Sequence, residues 1–301
     1  MSDFTDLRGI VCPIVTPCRA DESVDYDRFQ ENLARLLRTP ITGFYINGGT
    51  GDGSCLNMDE RQKTAELAVG QAKAAGRCSI VHVGQTLQRQ AVALARHAMA
   101  LGADAVASVP PQGGWDETAA YYTALAAEAP VFIYYIPGLT HVTADYSHLR
   151  RLLDIPGVAG IKVSDWNIFL IRRIKSDYPG KIVYTGLDEM VVPGLLYGAD
   201  GAIGTWINLL PEFYCKLWQL VQSGRCDDLN RMQQAYTDFL HQGWQFGILN
   251  AFQELMRARN LAERCFRAPN VWQPGTMPKP QLASMLDGLE ALNALAASIQ
   301  A

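Results

Sequence analysis

Apolar residues along this chain fall into two alternating patterns. Short, nearly continuous apolar runs bounded by Gly or Pro occur at GIVCPIVTP (9–17), ITGFYING (41–48), CSIVHVG (78–84) and DAVASVP (104–110). Four more follow at PVFIYYIP (130–137), GVAGIKVS (157–164), KIVYTG (181–186) and DGAIGTW (200–206). Between them lie stretches such as YDRFQENLARLLRT, MDERQKTAELAVGQAK, QRQAVALARHAMALG and PEFYCKLWQLVQSG, whose apolar residues recur at steps of three and four. Strand and helix signals thus alternate eight times by residue 224. Apolar strands separated by helices predict a parallel sheet covered on its outer face. Eight such units are the number that closes a (β/α)8 TIM barrel. An open doubly wound sheet would place a GxGxxG turn after the first strand, which instead runs into TPCRADES. Residues 225–301 carry no strand signal and predict three helices, near 227–243, 247–261 and 279–298, around the connector APNVWQPGTMPKP. The predicted organisation is therefore an α/β barrel over residues 1–224, which carries the active site, with a C-terminal helical extension over 225–301. No flexible linker separates the two, so the extension is expected to pack on the barrel.

Composition narrows the function classes. The 301 residues are 49% hydrophobic and 19% charged, with a formal net charge of −4 and the two signs interspersed. That leaves no basic footprint for nucleic acid and no polybasic patch for a membrane surface. The N-terminal MSDFTDLRGIVCPIVTP has acids where a secretory signal carries bases, and its short apolar stretch is broken by two prolines. Neither a signal peptide nor a membrane span is expected there. Seven cysteines, an odd number without a CxxC pair, read as reduced thiols in a cytoplasmic protein. Five scattered histidines form no HxxEH or HxH cluster, so no metal site is expected.

Candidate chemistry follows from the barrel itself, because the C-terminal ends of its strands line the active-site face. Those ends offer Thr16, the loop NGGTGDGS (47–54), Tyr134, Lys162 with Ser164, Gly186 followed by Asp188 and Glu189, and Thr205. Lys162 interrupts the apolar run of PGVAGIKVSDWN, and Lys is rarely buried without a reason. An amine in a low-dielectric mouth loses stabilisation of its charged form and becomes a nucleophile able to form a Schiff base with a ketone. The competing reading is a strand-end Lys that snorkels to water or pairs with Asp165. GGTGDG is either a simple glycine-rich turn or a nest of N–H groups that, with the Thr50 hydroxyl, holds a carboxylate. It lacks the Lys and the spacing of a P-loop. Strand alternation points Tyr134 and Tyr135 to opposite sides, one as a lumenal proton shuttle or as core. Asp188 and Glu189 open a helix, where acids serve as caps, or they accept hydroxyl groups of a polyol. Thr205 is a strand-end hydroxyl on either reading.

Five segments, GGTGD (48–52), YYIPGLTHV (134–142), GIKVSD (160–165), YTGLDEM (184–190) and GLLYGADGAIGT (194–205), share an order and spacing with a known family. Over residues 8–300 the chain resembles the N-acetylneuraminate lyase / dihydrodipicolinate synthase family of class I pyruvate-dependent aldolases. The resemblance implies that Lys162 is the Schiff-base lysine, that Tyr134 shuttles the proton, and that Thr50 and the backbone at Gly49 take the substrate carboxylate. It also implies that Ser164, Gly186, Asp188, Glu189 and Thr205 hold the hydroxylated tail of a sugar acid. YYIPGLT is similar to the lyase branch, and the Arg with which the synthases grip a second carboxylate is missing at Gly138 and Leu139. Two departures stand out. Gly49 occupies a position where many members carry Ser or Thr; Gly-Gly-Thr-Gly is instead similar to branches that act on 2-oxo-3-deoxy sugar acids, including dehydratases. The segment VPPQGGWDE also leaves no tyrosine between residues 108 and 120, so a proton relay would end in water, since Trp115 is no acid. The implied function is a Schiff-base lyase that cleaves or condenses a 2-oxo-3-deoxy sugar acid such as N-acetylneuraminate, with pyruvate and an aldehyde as partners and no cofactor. A keto-deoxy acid dehydratase is the alternative. A synthase-like condensing enzyme, a phosphosugar isomerase and a non-catalytic sugar-acid binder rank below it. The family implies a homotetramer or homodimer.

Overall fold

Eight parallel strands form inside the eight apolar runs: β1 (Gly9–Pro13), β2 (Gly43–Ile46), β3 (Cys78–His82), β4 (Ala105–Ser108), β5 (Val131–Tyr135), β6 (Val158–Val163), β7 (Ile182–Thr185) and β8 (Gly201–Ala202). The computed structural model describes residues 5–140, 144–269 and 277–300; His141 and Val142 of the YYIPGLTHV segment and 270–276 of the Pro-rich connector lie outside them. Each strand pairs with its sequence neighbour, and β8 returns to β1 through Gly9↔Gly201, which closes the barrel.

Helices cover the outside: α1 (Tyr26–Leu37), α2 (Met58–Ala74), α3 (Gln88–Leu101), α4 (Trp115–Ala126), the single turn α5 (Pro137–Thr140), α6 (Tyr146–Leu153), α7 (Phe169–Asp177), α8 (Val191–Leu196) and α9 (Pro211–Ser223). Three more follow, α10 (Cys226–Trp244), α11 (Ile248–Ala258) and α12 (Lys279–Ser298). Local chemistry sets their ends. In α1 the Asp25 side chain accepts the Arg28 N–H, and Phe29, Leu33 and Leu36 face inward at helical spacing. At the start of α2, Asn57 and Glu60 form a reciprocal capping box. Helix α9 begins at Pro211 and ends at Gly224, which adopts the left-handed conformation of a helix stop.

Period-two alternation splits the strand side chains between two cores. On β5, Phe132 and Tyr134 enter the lumen, whereas Ile133 and Tyr135 pack outward under the helices. Tyr135 there accepts the Ala144 N–H at 3.3 Å, so the two neighbouring tyrosines do point apart. The outer core runs without interruption into the C-terminal extension. Trp206, in the turn after β8, meets Phe239 of α10 and Phe252 of α11 edge-on, at 5.1 and 5.5 Å between ring centroids. The first and eighth runs are the ones whose extent differs most from expectation: β1 stops at Pro13, short of Pro17, and the eighth run is cut back as far. The eighth strand stops at Ala202, and Thr205–Asn208 form a 3-10 turn. No helix among the described residues is long and apolar enough to cross a membrane.

Candidate active site

Lys162 sits in direct register with Tyr134 on one side and Tyr184 on the other, on the lumenal face near the C-terminal end of β6. Only 4% of its surface is exposed, so it does not snorkel. Its Nζ lies 4.1 Å from the Tyr134 ring centroid and 5.0 Å from that of Tyr45. No hydrogen bond or ion pair to the amine is formed among the described residues, and Asp165 instead accepts the Asn167 N–H. A desolvated amine between two aromatic faces, with no counter-ion to hold it, is placed to react. Room for it comes from Gly186. A Cβ there would stand 2.0 Å from Ser164 Oγ and 2.8 Å from Lys162 Cε, so any side chain would push the lysine stem aside.

Three aromatic rings wall the lumen around the amine. Tyr45, His82 and Tyr134 lie 6.0 to 6.2 Å apart, centroid to centroid. His82 Nε2 accepts the Val109 N–H at 3.3 Å. Burial, with the Arg61 charge behind it, pushes the imidazole pKa down to about 3, so His82 is neutral at physiological pH. Arg61 is itself fully buried and anchors the end of β3, donating to the carbonyls of His82 and Gly84 at 2.5 and 2.8 Å. Burial pulls its pKa down to about 10, which still leaves it charged. The Tyr45 Oη, Ser164 Oγ and Thr16 Oγ1 atoms are buried without a hydrogen-bond partner among the described residues. Such orphaned polar atoms are rare in a finished core and mark space meant for a polar guest.

The rim joins the loops after β2, β7 and β8. Thr50 Oγ1 and Thr205 Oγ1 are hydrogen-bonded across the mouth at 2.8 Å. Gly49 opens toward the lumen, where a Cβ would meet only the Tyr134 hydroxyl, at 3.9 Å. Asp188 reaches the rim but turns toward protein: Oδ2 accepts the Thr205 N–H at 2.9 Å, and Oδ1 accepts the Trp206 N–H at 3.3 Å and the Tyr214 hydroxyl. Desolvation raises its pKa to about 7, helped by the Glu189 charge and opposed by the Tyr214 and backbone donors. Glu189 next to it stays partly exposed at the mouth. Among the described residues no three His, Cys, Asp or Glu side chains gather to hold a metal ion.

The residues chosen from strand ends thus converge on one mouth, with Asp188 the member whose acceptors are largely committed elsewhere. Tyr45, His82, Tyr214 and Tyr236 were not singled out from the sequence. Tyr45 and His82 had a usable signal, since both fall on lumenal positions of their strands by alternation. The two distant tyrosines had none.

A sequence profile described as the dihydrodipicolinate synthetase family matches residues 6–284. An N-acetylneuraminate lyase of Rhizobium meliloti (strain 1021) is 33% identical over 233 residues, 75% of this chain and 77% of that protein. An N-acetylneuraminate lyase of Escherichia coli (strain SMS-3-5 / SECEC) is 28% identical over 236 residues, 76% of this chain and 79% of that one. Among solved structures, the wild-type sialic acid aldolase of Ruminococcus gnavus superposes with a TM-score of 0.86 at 22% identity, over 98% of this chain and 100% of that one. The N-acetylneuraminate lyase of Fusobacterium nucleatum gives 0.85 at 22% identity, over 95% and 99%. The two structural likenesses bear on the fold.

Proposed function

From membership of the dihydrodipicolinate synthetase family, to which this chain belongs, we propose that the protein is a class I aldolase that cleaves a 2-oxo-3-deoxy sugar acid, such as N-acetylneuraminate, to pyruvate and an aldehyde, or condenses the two. The observation that carries this reading is the buried, unpaired Lys162 amine in register with Tyr134.

In this reading the substrate carboxylate is received by the loop after β2. One hydroxyl of the Thr50–Thr205 pair donates to the other, which leaves one O–H free for the carboxylate. Backbone amides of the turn at Gly49 and Thr50 add further donors. Lys162 Nζ adds to the C2 carbonyl, the carbinolamine loses water, and a protonated imine forms. Tyr134 Oη takes the proton of the C4 hydroxyl as it passes its own proton on to water, where the relay ends; the C4 carbonyl forms as the C3–C4 bond breaks. The bond's electron pair moves into the C2–C3 enamine and neutralises the iminium nitrogen. Protonation at C3 and attack by water then release pyruvate and restore the amine. Ser164, Glu189 and Thr205 remain to meet the hydroxylated tail, and Gly186 supplies the space beside them. Lysine carries the electron sink itself, so no organic cofactor enters the reaction.

Borohydride reduction in the presence of pyruvate, followed by peptide mass mapping, tests the reading. A reduced pyruvate adduct on Lys162 is expected, with none on the Lys162→Arg variant, whose turnover falls by at least about 10³-fold. An adduct on another residue, or none on the wild-type protein, overturns it. A homotetramer or homodimer in a reducing cytoplasm completes the proposal. The odd cysteine count without a CxxC pair and the exposed Trp166 and Phe169 at the start of α7 support it, and sedimentation of the purified protein reads the assembly.

A further inference from the structure

A single hydrogen-bonded chain runs from the C-terminal extension to the carboxylate loop. Tyr236 of α10 and Tyr214 of α9, both with no exposed surface, share a hydrogen bond of 2.5 Å between their hydroxyls. Tyr214 donates onward to Asp188 Oδ1. Asp188 accepts the Thr205 and Trp206 amides, and Thr205 Oγ1 meets Thr50 Oγ1. Three donors from protein occupy a carboxylate with about four lone-pair sites. Gly204 is shaped around this arrangement, since a Cβ there would lie 2.2 Å from Asp188 Oδ1 and 3.2 Å from Tyr214 Oη. A side chain built chiefly to accept substrate hydroxyls would not be held from behind in this way.

We propose that Asp188 is a positioning residue. It fastens the Thr205–Trp206 turn to the end of β7 so that the Thr205 hydroxyl orients Thr50 for the substrate carboxylate, and Tyr214 and Tyr236 couple this clamp to the C-terminal extension. The proposal rests on the aldolase reading for what Thr50 binds, but the clamp itself does not. Only the ionised carboxylate accepts all three donors fully, so the clamp is tightest above the Asp188 pKa of about 7 and loosens as pH falls through it. The ionisable groups facing it are Glu189 on its own turn, Tyr214 from α9, Tyr236 from α10 and Cys12 from β1. Glu189 opposes ionisation, and the Tyr214 hydroxyl favours it.

Tyr214→Phe removes a donor to the carboxylate without touching the substrate, so the Asp188 pKa rises. The expected result is threefold. At saturating pyruvate the borohydride-trapped Lys162 adduct is unchanged at pH 8. The pyruvate concentration for half-trapping rises about 3- to 10-fold at pH 7, and the acid limb of its pH profile moves up by about one pH unit. Amide exchange of the peptide containing Thr205 and Trp206 becomes faster. Tyr236→Phe shifts the same readouts in the same direction by less, and it serves if Tyr214→Phe does not fold. Profiles and amide exchange that superimpose on wild type, or loss of trapping even at saturating pyruvate, overturn the proposal. A wild-type protein that forms no Lys162 adduct sinks the aldolase reading instead, while the amide exchange still decides whether the clamp exists.

Discussion

Changing Tyr134 to Phe deletes one oxygen from the lumen and keeps the ring face 4.1 Å from Lys162 Nζ. Imine trapping with pyruvate is therefore expected to survive, while turnover of the sugar acid falls about 10²-fold, the ordinary worth of a positioned proton carrier. Steady-state kinetics beside borohydride trapping separates the two effects, and equal loss of both would remove Tyr134 from the proton path. At this scale the sequence was most legible where strand alternation and strand ends decide direction. Lys162, Tyr134 and Thr50 were found that way, and the structure gathers them at one mouth. Tyr45 and His82 follow the same alternation, but a tyrosine or histidine in an apolar run also reads as ordinary core, so position alone did not raise them. Tyr214 and Tyr236 were illegible for a different reason. Their place depends on helices α9 and α10 packing against the turn after β8, and no local pattern encodes such a contact.

Elements were legible where period and punctuation agreed. All eight strands and the helices of the extension lie where the apolar periods predicted them. The exceptions are β1, read as reaching Pro17 and ending at Pro13, and β8, read as reaching Trp206 and ending at Ala202. Past β8 the Ile203 amide still donates to the Thr185 carbonyl, whereas the amides of Thr205 and Trp206 go to Asp188, a tertiary contact that strand propensity does not contain. Local capping was readable in kind but not in reach. Glu60 closes the capping box of α2 and also pairs with Arg267 at 2.8 Å, which ties that helix start to the segment after α11. Asn57→Ala breaks the box and is expected to cost about 1 kcal/mol of stability, read as a lower urea midpoint with an unchanged slope. A midpoint equal to wild type would show that the Arg267 pairing alone holds the end of α2.

At the scale of the whole molecule, barrel and extension share one outer core, and Trp206 stands at their junction with under 2% of its surface exposed. Trp206→Ala is expected to cost roughly 3–5 kcal/mol, the range for emptying a large buried aromatic site. Loss of stability in a single cooperative transition would mean that the extension and the barrel unfold together. A separate early transition would make the extension an independent unit. The closed sheet has a consequence of its own. Tyr134 and Lys162 belong to adjacent strands in matched register, so their spacing is fixed by the ladder between β5 and β6 rather than by any loop. In the proposed mechanism, acid–base partner and nucleophile are therefore already assembled before a guest arrives. Whatever limits the speed of this protein, bringing those two groups together is not part of it.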